Sequence, residues 1–140
     1  MTLVEVLAAL LLIAVIGLIV LSLTIGSIQV KAVSEQKSEA LQVAAAITDA
    51  YRKASNTDLQ EEFDRASTAD CSDRLPDIPN SGPWHLPTRG TDTLPEDILN
   101  RYKVCVKLQK DDSLSLFRLW IYVQAPQASM TYDALVGGGQ

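Results

Sequence analysis

MTLVEVLAALLLIAVIGLIVLSLTIGSIQV, residues 1–30, is the stretch that decides the architecture of this chain. Its only charged side chain is Glu5, and residues 6–30 carry no formal charge. As a helix those 25 residues would be about 37 Å long at about 1.5 Å each, against a bilayer hydrocarbon core of about 30 Å. The run is apolar on nearly all faces up to Leu21. A helix of that kind must be buried all round, in lipid or in other protein. A secretory signal would show a basic start, a shorter apolar stretch and a small-residue cleavage site. None of these is present, and with no Lys or Arg before residue 31 the positive-inside rule gives no orientation.

Outside this segment the composition is that of a soluble, mildly acidic domain. From residue 31 onward 12 basic residues face 16 acidic ones, a net charge of −4. That balance offers no general electrostatic footprint for nucleic acid, which needs a basic surface. The chain therefore divides into an apolar membrane or core helix, residues 1–30, and a helix continuation plus globular head, residues 31–140.

A carboxylate inside a membrane segment costs a few kcal/mol on insertion scales, so such acids have a partner or a task. In the bland reading Glu5 sits in the headgroup zone, favoured by the helix dipole. In the sharper one it pairs with a cation from another chain. At that depth the cation available is the α-amine of Met1. A neighbouring copy shifted by about one turn could present that amine to Glu5, which would fix both register and direction in a stack of identical helices.

Met1, Thr2, Leu3, Val4 and Glu5 resemble, in order, the mature N-terminus of type IV pilins and of the pseudopilins of type II secretion and competence systems. The likeness is specific over about the first thirty residues and architectural beyond them. It implies a processed chain whose Met1 is exposed by a prepilin peptidase and N-methylated. It also implies a homo-oligomeric helical filament built at an inner-membrane platform by a separate ATPase, with the subunit in the inner membrane before assembly and in an extracellular pilus afterwards. Many major pilins bend at a proline near position 22, where this chain has Ser22; Gly17 and Gly26 are the weak points instead. In the family a stretch near this depth loses helicity on assembly, which makes Gly17 the candidate for melting here. Alternatively, both glycines simply permit close helix contact.

The remainder predicts an α+β fold, with a long N-terminal α-helix packed on a small antiparallel sheet. In "KAVSEQKSEALQVAAAITDAYRKAS" the residues Val33, Ala40, Ala44, Ile47, Tyr51 and Ala54 share one side, with Leu41 and Val43 beside them. The helix should end near Ser55 or Asn56, and Thr57 with Gln60 resembles a capping box opening a short helix to about Ala66. Residues 67–94 hold Pro76, Pro79, Pro83, Pro87, Gly82 and Gly90, which predicts an extended surface connection. In "RYKVCVKLQ" Tyr102, Val104, Val106 and Leu108 alternate with Arg101, Lys103, Cys105 and Lys107. "LSLFRLWIYVQ" is apolar on both faces, as a central strand would be, and "SMTYDALV" supplies a third.

No catalytic set emerges, and no cofactor or metal site is expected. His85 lacks neighbouring cysteines, and "TADCSD" and "KDDS" lack the alternation and glycine of a calcium loop. Trp84 reads as a loop anchor or subunit contact. The stripe Arg101, Lys103 and Lys107 reads as a solvated strand face that discourages edge pairing, with contact to DNA the lesser alternative. Cys71 and Cys105 should form a disulfide if the head lies outside the cytoplasm. The expected role is a pilus structural subunit and not an enzyme. The alternatives are a minor pilin or pseudopilin, and a single-pass anchor for a binding domain.

Overall fold

A computed structural model of the chain describes residues 2–66, 71 and 82–137. Helix α1 (Leu3–Arg52) is followed by α2 (Asn56–Arg65) and α3 (Glu96–Arg101), then by strands β1 (Lys103–Asp111), β2 (Leu116–Gln124) and β3 (Ser129–Val136). The arrangement is α+β, as expected. The chain divides into two compact units, Met1–Glu35 and Gln36–Gln140. In the first, α1 is helical without a break from Leu3, Gly17 and Gly26 included, and buries none of its apolar side chains.

In the second unit, Ala40, Val43, Ala44, Ile47 and Tyr51 form the buried stripe of α1. Their spacing of three and four residues puts them on one face. That face meets the inner side of a three-stranded antiparallel sheet in the order β1-β2-β3. The register pairs Val104 with Val123, Val106 with Ile121 and Leu108 with Leu119, all inward and all buried. β2 is the central strand; its inward residues Phe117, Leu119, Ile121 and Val123 are buried, while on its outer face Tyr122 is buried, Trp120 is half-buried and Arg118 is exposed. Ile47 and Tyr51 are both fully buried, as the sequence suggested, but Leu41 is 55% exposed and lies off the packed stripe.

The second helix starts one cap earlier than expected. Ser55, in extended backbone, accepts a hydrogen bond from the Asp58 N–H at 3.2 Å, so Ser55 and not Thr57 is the N-cap. Thr57 instead shares a hydroxyl contact of 2.9 Å with Ser55. The cap falls to the serine because its extended backbone directly precedes the helix and places its oxygen over the first orphan N–H groups.

The expectation of an extended surface connection over residues 67–94 holds for most of residues 82–94, which are irregular and exposed or half-buried, but not at Trp84, His85 and Gly90; residues 67–70 and 72–81 lie outside the described residues. Trp84 and His85 are buried, and His85 exchanges both backbone hydrogen bonds with Val106 on the outer edge of β1, at 2.9 and 2.8 Å. Gly90 adopts a φ of +83°, and a Cβ there would stand 2.8 Å from the Cα of Ile47. Only glycine lets this segment press so closely on α1.

The β1–β2 hairpin turns through residues 112–115, with Asp111 Oδ1 accepting from the Ser113 N–H at 3.1 Å and from its hydroxyl. These bonds hold the exposed Asp111 carboxyl below its ordinary range. Ser115 closes the turn at a φ of 52°, in the left-handed region that costs a non-glycine residue about 1 kcal/mol or more. Ser115→Gly is therefore expected to raise stability by about 0.5 kcal/mol, after part of the relief is offset by the greater freedom of glycine in the unfolded chain. A urea midpoint that falls would contradict this.

Candidate functional site

Three constellations carry chemistry, beginning at the head of α1. Glu5 lies in the first helical turn and is exposed, and its Oε2 stands 3.4 Å from the Thr2 N–H that would donate to it. The carboxylate thus lies over the positive end of the helix dipole. Met1, the expected partner residue, lies outside the described residues. Beyond Glu5, eighteen large aliphatic side chains from Leu3 to Val30 are between 44% and 79% exposed. Burying a side chain of this size is worth about 1.5–3 kcal/mol, so covering the whole surface is worth tens of kcal/mol. No such surface persists in water. The segment is long and apolar enough to cross a membrane.

Within it Ser22 donates its hydroxyl to the Ile19 carbonyl at 2.8 Å, and the Thr24 hydroxyl lies 2.9 Å from the carbonyls of both Val20 and Leu21. Hydroxyls bonded back in this way satisfy themselves in an apolar setting and slightly weaken the helical ladder. They lie between Gly17 and Gly26, and among the described residues no atom outside the local helix backbone lies within 4 Å of where either Cβ would be. Nothing within the chain's own packing demands glycine at either place.

The second constellation is on the outer face of the sheet. The sulfur atoms of Cys71 and Cys105 lie at disulfide distance, 2.10 Å, and both residues are buried. Trp84 packs edge-on against Tyr122 at 6.3 Å, which makes it a loop anchor. The ammonium of Lys107 sits 5.1 Å from the Trp84 ring and 5.7 Å from that of Trp120. The basic stripe expected from the sequence is therefore not one solvated strand face. Lys107 is taken up by aromatic rings, while Arg101 ends α3 and pairs with Glu39 at 3.1 Å and Asp97 at 3.7 Å. Tyr102 also donates to Glu39, and burial followed by that bond and charge pushes its phenol up to about 12.

The third was not anticipated. Glu62, on α2, is a buried carboxylate whose Oε1 accepts from the Tyr51 hydroxyl and lies 3.0 Å from His85 Nε2. Arg89 Nε stands 3.8 Å from its Oε2, and Asp58 lies 3.7 Å from the same guanidinium. Tyr51 in turn accepts from the Thr88 N–H at 3.4 Å. An open pocket of about 520 Å³ adjoins the group, with Glu61, Arg65 and Leu86 on its walls. Burial works against the charged form of Glu62, but hydrogen bonds from His85 and Tyr51 outweigh it and hold the carboxyl below its ordinary range. Burial, then the hydrogen bond to and charge of Glu62, push the Tyr51 phenol far upward. The one sequence sign was an acid at position 62, three residues after buried Leu59, on the inward face of an amphipathic helix.

Folding thus keeps Glu62 ionised to lower pH than the unfolded chain does. That stability is fully present above the unfolded value, about 4.3, and is lost as pH falls through the folded one. Glu62→Gln is expected to cost about 1–3 kcal/mol at pH 7 and to flatten the acid limb of the stability profile. Urea unfolding at pH 7 and pH 3 checks this, and parallel profiles for variant and parent would contradict it.

Among the described residues no group of three or more His, Cys, Asp or Glu could hold a metal ion. Comparison with known protein families, with curated proteins and with solved structures finds no match for this chain.

Proposed function

We propose that the chain is a structural, non-catalytic subunit of a type IV pilus-like filament, and that Glu5 pairs with the N-terminal amine of an adjoining copy. The observation that carries this is an uninterrupted helical surface of eighteen exposed aliphatic side chains, uncharged from residue 6 to residue 30, with a single acid at its head. Lipid and a bundle of like helices are interchangeable solvents for that surface. In lipid an unpaired carboxylate is a cost; in a bundle with staggered copies it becomes a register mark. An amphipathic second half seated on an antiparallel sheet, with Trp84 and the cysteine pair bracing the outer face, gives a folded head suited to a filament wall.

The subunit would wait in the inner membrane and move into an extracellular fibre, driven by an assembly platform and an ATPase that are separate proteins. On assembly, the stretch between Gly17 and Gly26 is where helicity would be lost most cheaply, since it combines weak propensity with hydroxyls already engaging the Ile19, Val20 and Leu21 carbonyls. A minor pilin or secretion pseudopilin would use the same helix at lower abundance, and a plain membrane anchor would share only its hydropathy. The test is the structure of fibres from cells that make this chain together with its assembly machinery. The expected result is a fibre composed of this chain with Glu5 at ion-pair distance from a neighbour's amine. A fibre with Glu5 facing water, or a solitary span and no polymer, would overturn the reading.

A further inference from the structure

His85 lies in a setting that only its doubly protonated ring satisfies. Nε2 stands 3.0 Å from Glu62 Oε1, and Nδ1 stands 3.3 Å from the Pro83 carbonyl oxygen. A carboxylate and a carbonyl are acceptors only. With a proton on Nε2 alone, the Nδ1 lone pair faces the Pro83 oxygen. With a proton on Nδ1 alone, the Nε2 lone pair faces the carboxylate. Each neutral tautomer leaves one acceptor against another in a side chain only 10% exposed, and there an unmade hydrogen bond is costly.

We propose that His85 is a proton-operated latch: as imidazolium it bridges Pro83 and Glu62, clamping the segment on the β1 edge to α2, and loss of its proton loosens α2. The geometry says which pieces would part. The backbone bonds between His85 and Val106 do not depend on the ring, so the segment stays on β1. α2 is also held by Leu59 and Phe63 in the core and by the contact of Asp58 with Arg89, none of which involves the ring; its tie to the ring is Glu62. The charged and titratable groups around the ring, among the described residues, are Glu62 from α2, Tyr51 from α1 through Glu62, and Arg89 from its own segment, with Glu61 and Arg65 of α2, paired with each other, on the wall of the adjoining pocket. Asp58, on α2, offsets the Arg89 charge at 3.7 Å. β1 meets His85 through the Val106 backbone, and the Lys107 ammonium is directed to Trp84 and Trp120. Loss of the ring proton is what would open the latch. Its lower pH limit is set by Glu62, which must stay ionised and whose carboxyl is held below its ordinary range.

His85 is the only histidine in the chain, so its ring can be followed without ambiguity. The experiment is a nitrogen-resolved NMR titration of the full chain in detergent micelles from pH 5 to 9, with amide hydrogen exchange of α2 corrected for its intrinsic pH dependence. The expected result is an imidazolium with both N–H groups at the acid end. Protection of the α2 amides should fall by about tenfold or more as the ring loses a proton, the size of one charge-assisted hydrogen bond. In His85→Gln, which can donate to Glu62 but cannot titrate, that pH-dependent change should vanish. A ring that stays a neutral Nε2–H tautomer from pH 5 upward would overturn the proposal. So would α2 protection that ignores the ring's titration, and the parent chain alone suffices to see either result.

Discussion

Glu5→Leu is expected to abolish filaments while the subunit accumulates in the membrane at normal or higher level. The two halves of this outcome come from the same change. Removing the acid leaves residues 3–30 without a charge, which relieves an insertion cost of up to about 2.5–3.5 kcal/mol, the value on translocon scales for a charge at the centre of a span. In the proposed bundle the same change leaves a neighbour's ammonium buried and uncompensated, and breaking a buried pair from one side costs about 3–5 kcal/mol. At about 1.4 kcal/mol per factor of ten, each subunit addition weakens by roughly 10²- to 4 × 10³-fold. A polymer assembled one subunit at a time amplifies such a loss. Glu5→Gln should be intermediate, because it keeps a hydrogen-bond acceptor and loses the charge. Fibre yield by electron microscopy, set against subunit content of the membrane fraction, separates the readings. Glu5→Leu subunits that polymerise as well as the parent would eliminate charge pairing, and a simple membrane anchor would show no change in either quantity.

The same arithmetic explains why an acid and not a hydroxyl or amide would suit that position. Eighteen aliphatic side chains supply ample attraction between helices but no direction, because one Leu or Ile packs much like the next. A single ionic contact in a low-dielectric interior adds little net stability, and its best-attested use is to set register. Glu5 is the sole charged side chain before Lys31.

What the sequence made legible follows from which signals are one-dimensional. The apolar run and its lone acid are read directly from order along the chain. Alternation in β1 and the stripe through Ala40, Ala44, Ile47 and Tyr51 repeat at periods set by local geometry, so the sheet and its helical partner were readable too. The failures came where two elements compete or meet. Ser55 and Thr57 are both good caps, and the choice rested on which of them stood in extended backbone directly before the helix. α3 is six residues long with Pro95 before it and Glu96 and Asp97 in its first turn, a signal too short to stand out among four prolines. Leu41 is as hydrophobic as its buried neighbours but falls off the stripe. Tyr51, Glu62 and His85 are 11 and 23 residues apart, on three different segments, and only the packed head brings them into one hydrogen-bonded group. Lys107 looked like surface until Trp84 folded over it from the preceding segment.

Opening the link between Cys71 and Cys105 is expected to have the largest effect on stability of any change in the head. The two residues are 34 positions apart, and on the chain-entropy account closing a loop of that length restricts the unfolded state by about 4 kcal/mol. For a folded unit of about a hundred residues this corresponds to roughly 15–30 °C in Tm. The position adds to the effect. Cys105 is in β1 beside Tyr122 of β2, and with Trp84 the pair forms the small outer cluster that covers the sheet on the side away from α1. Both cysteines are almost fully buried, so reductant added to the folded chain should act slowly. Reduction in denaturant followed by refolding reaches the open form without removing any side chain, and isolates loop closure from packing. Cys71→Ala with Cys105→Ala adds the packing loss and should melt lower still. If the reduced, refolded chain melts within a few degrees of the oxidised one, then the buried contacts of Trp84, Tyr122 and Lys107 hold this face on their own, and the covalent link contributes little to the fold.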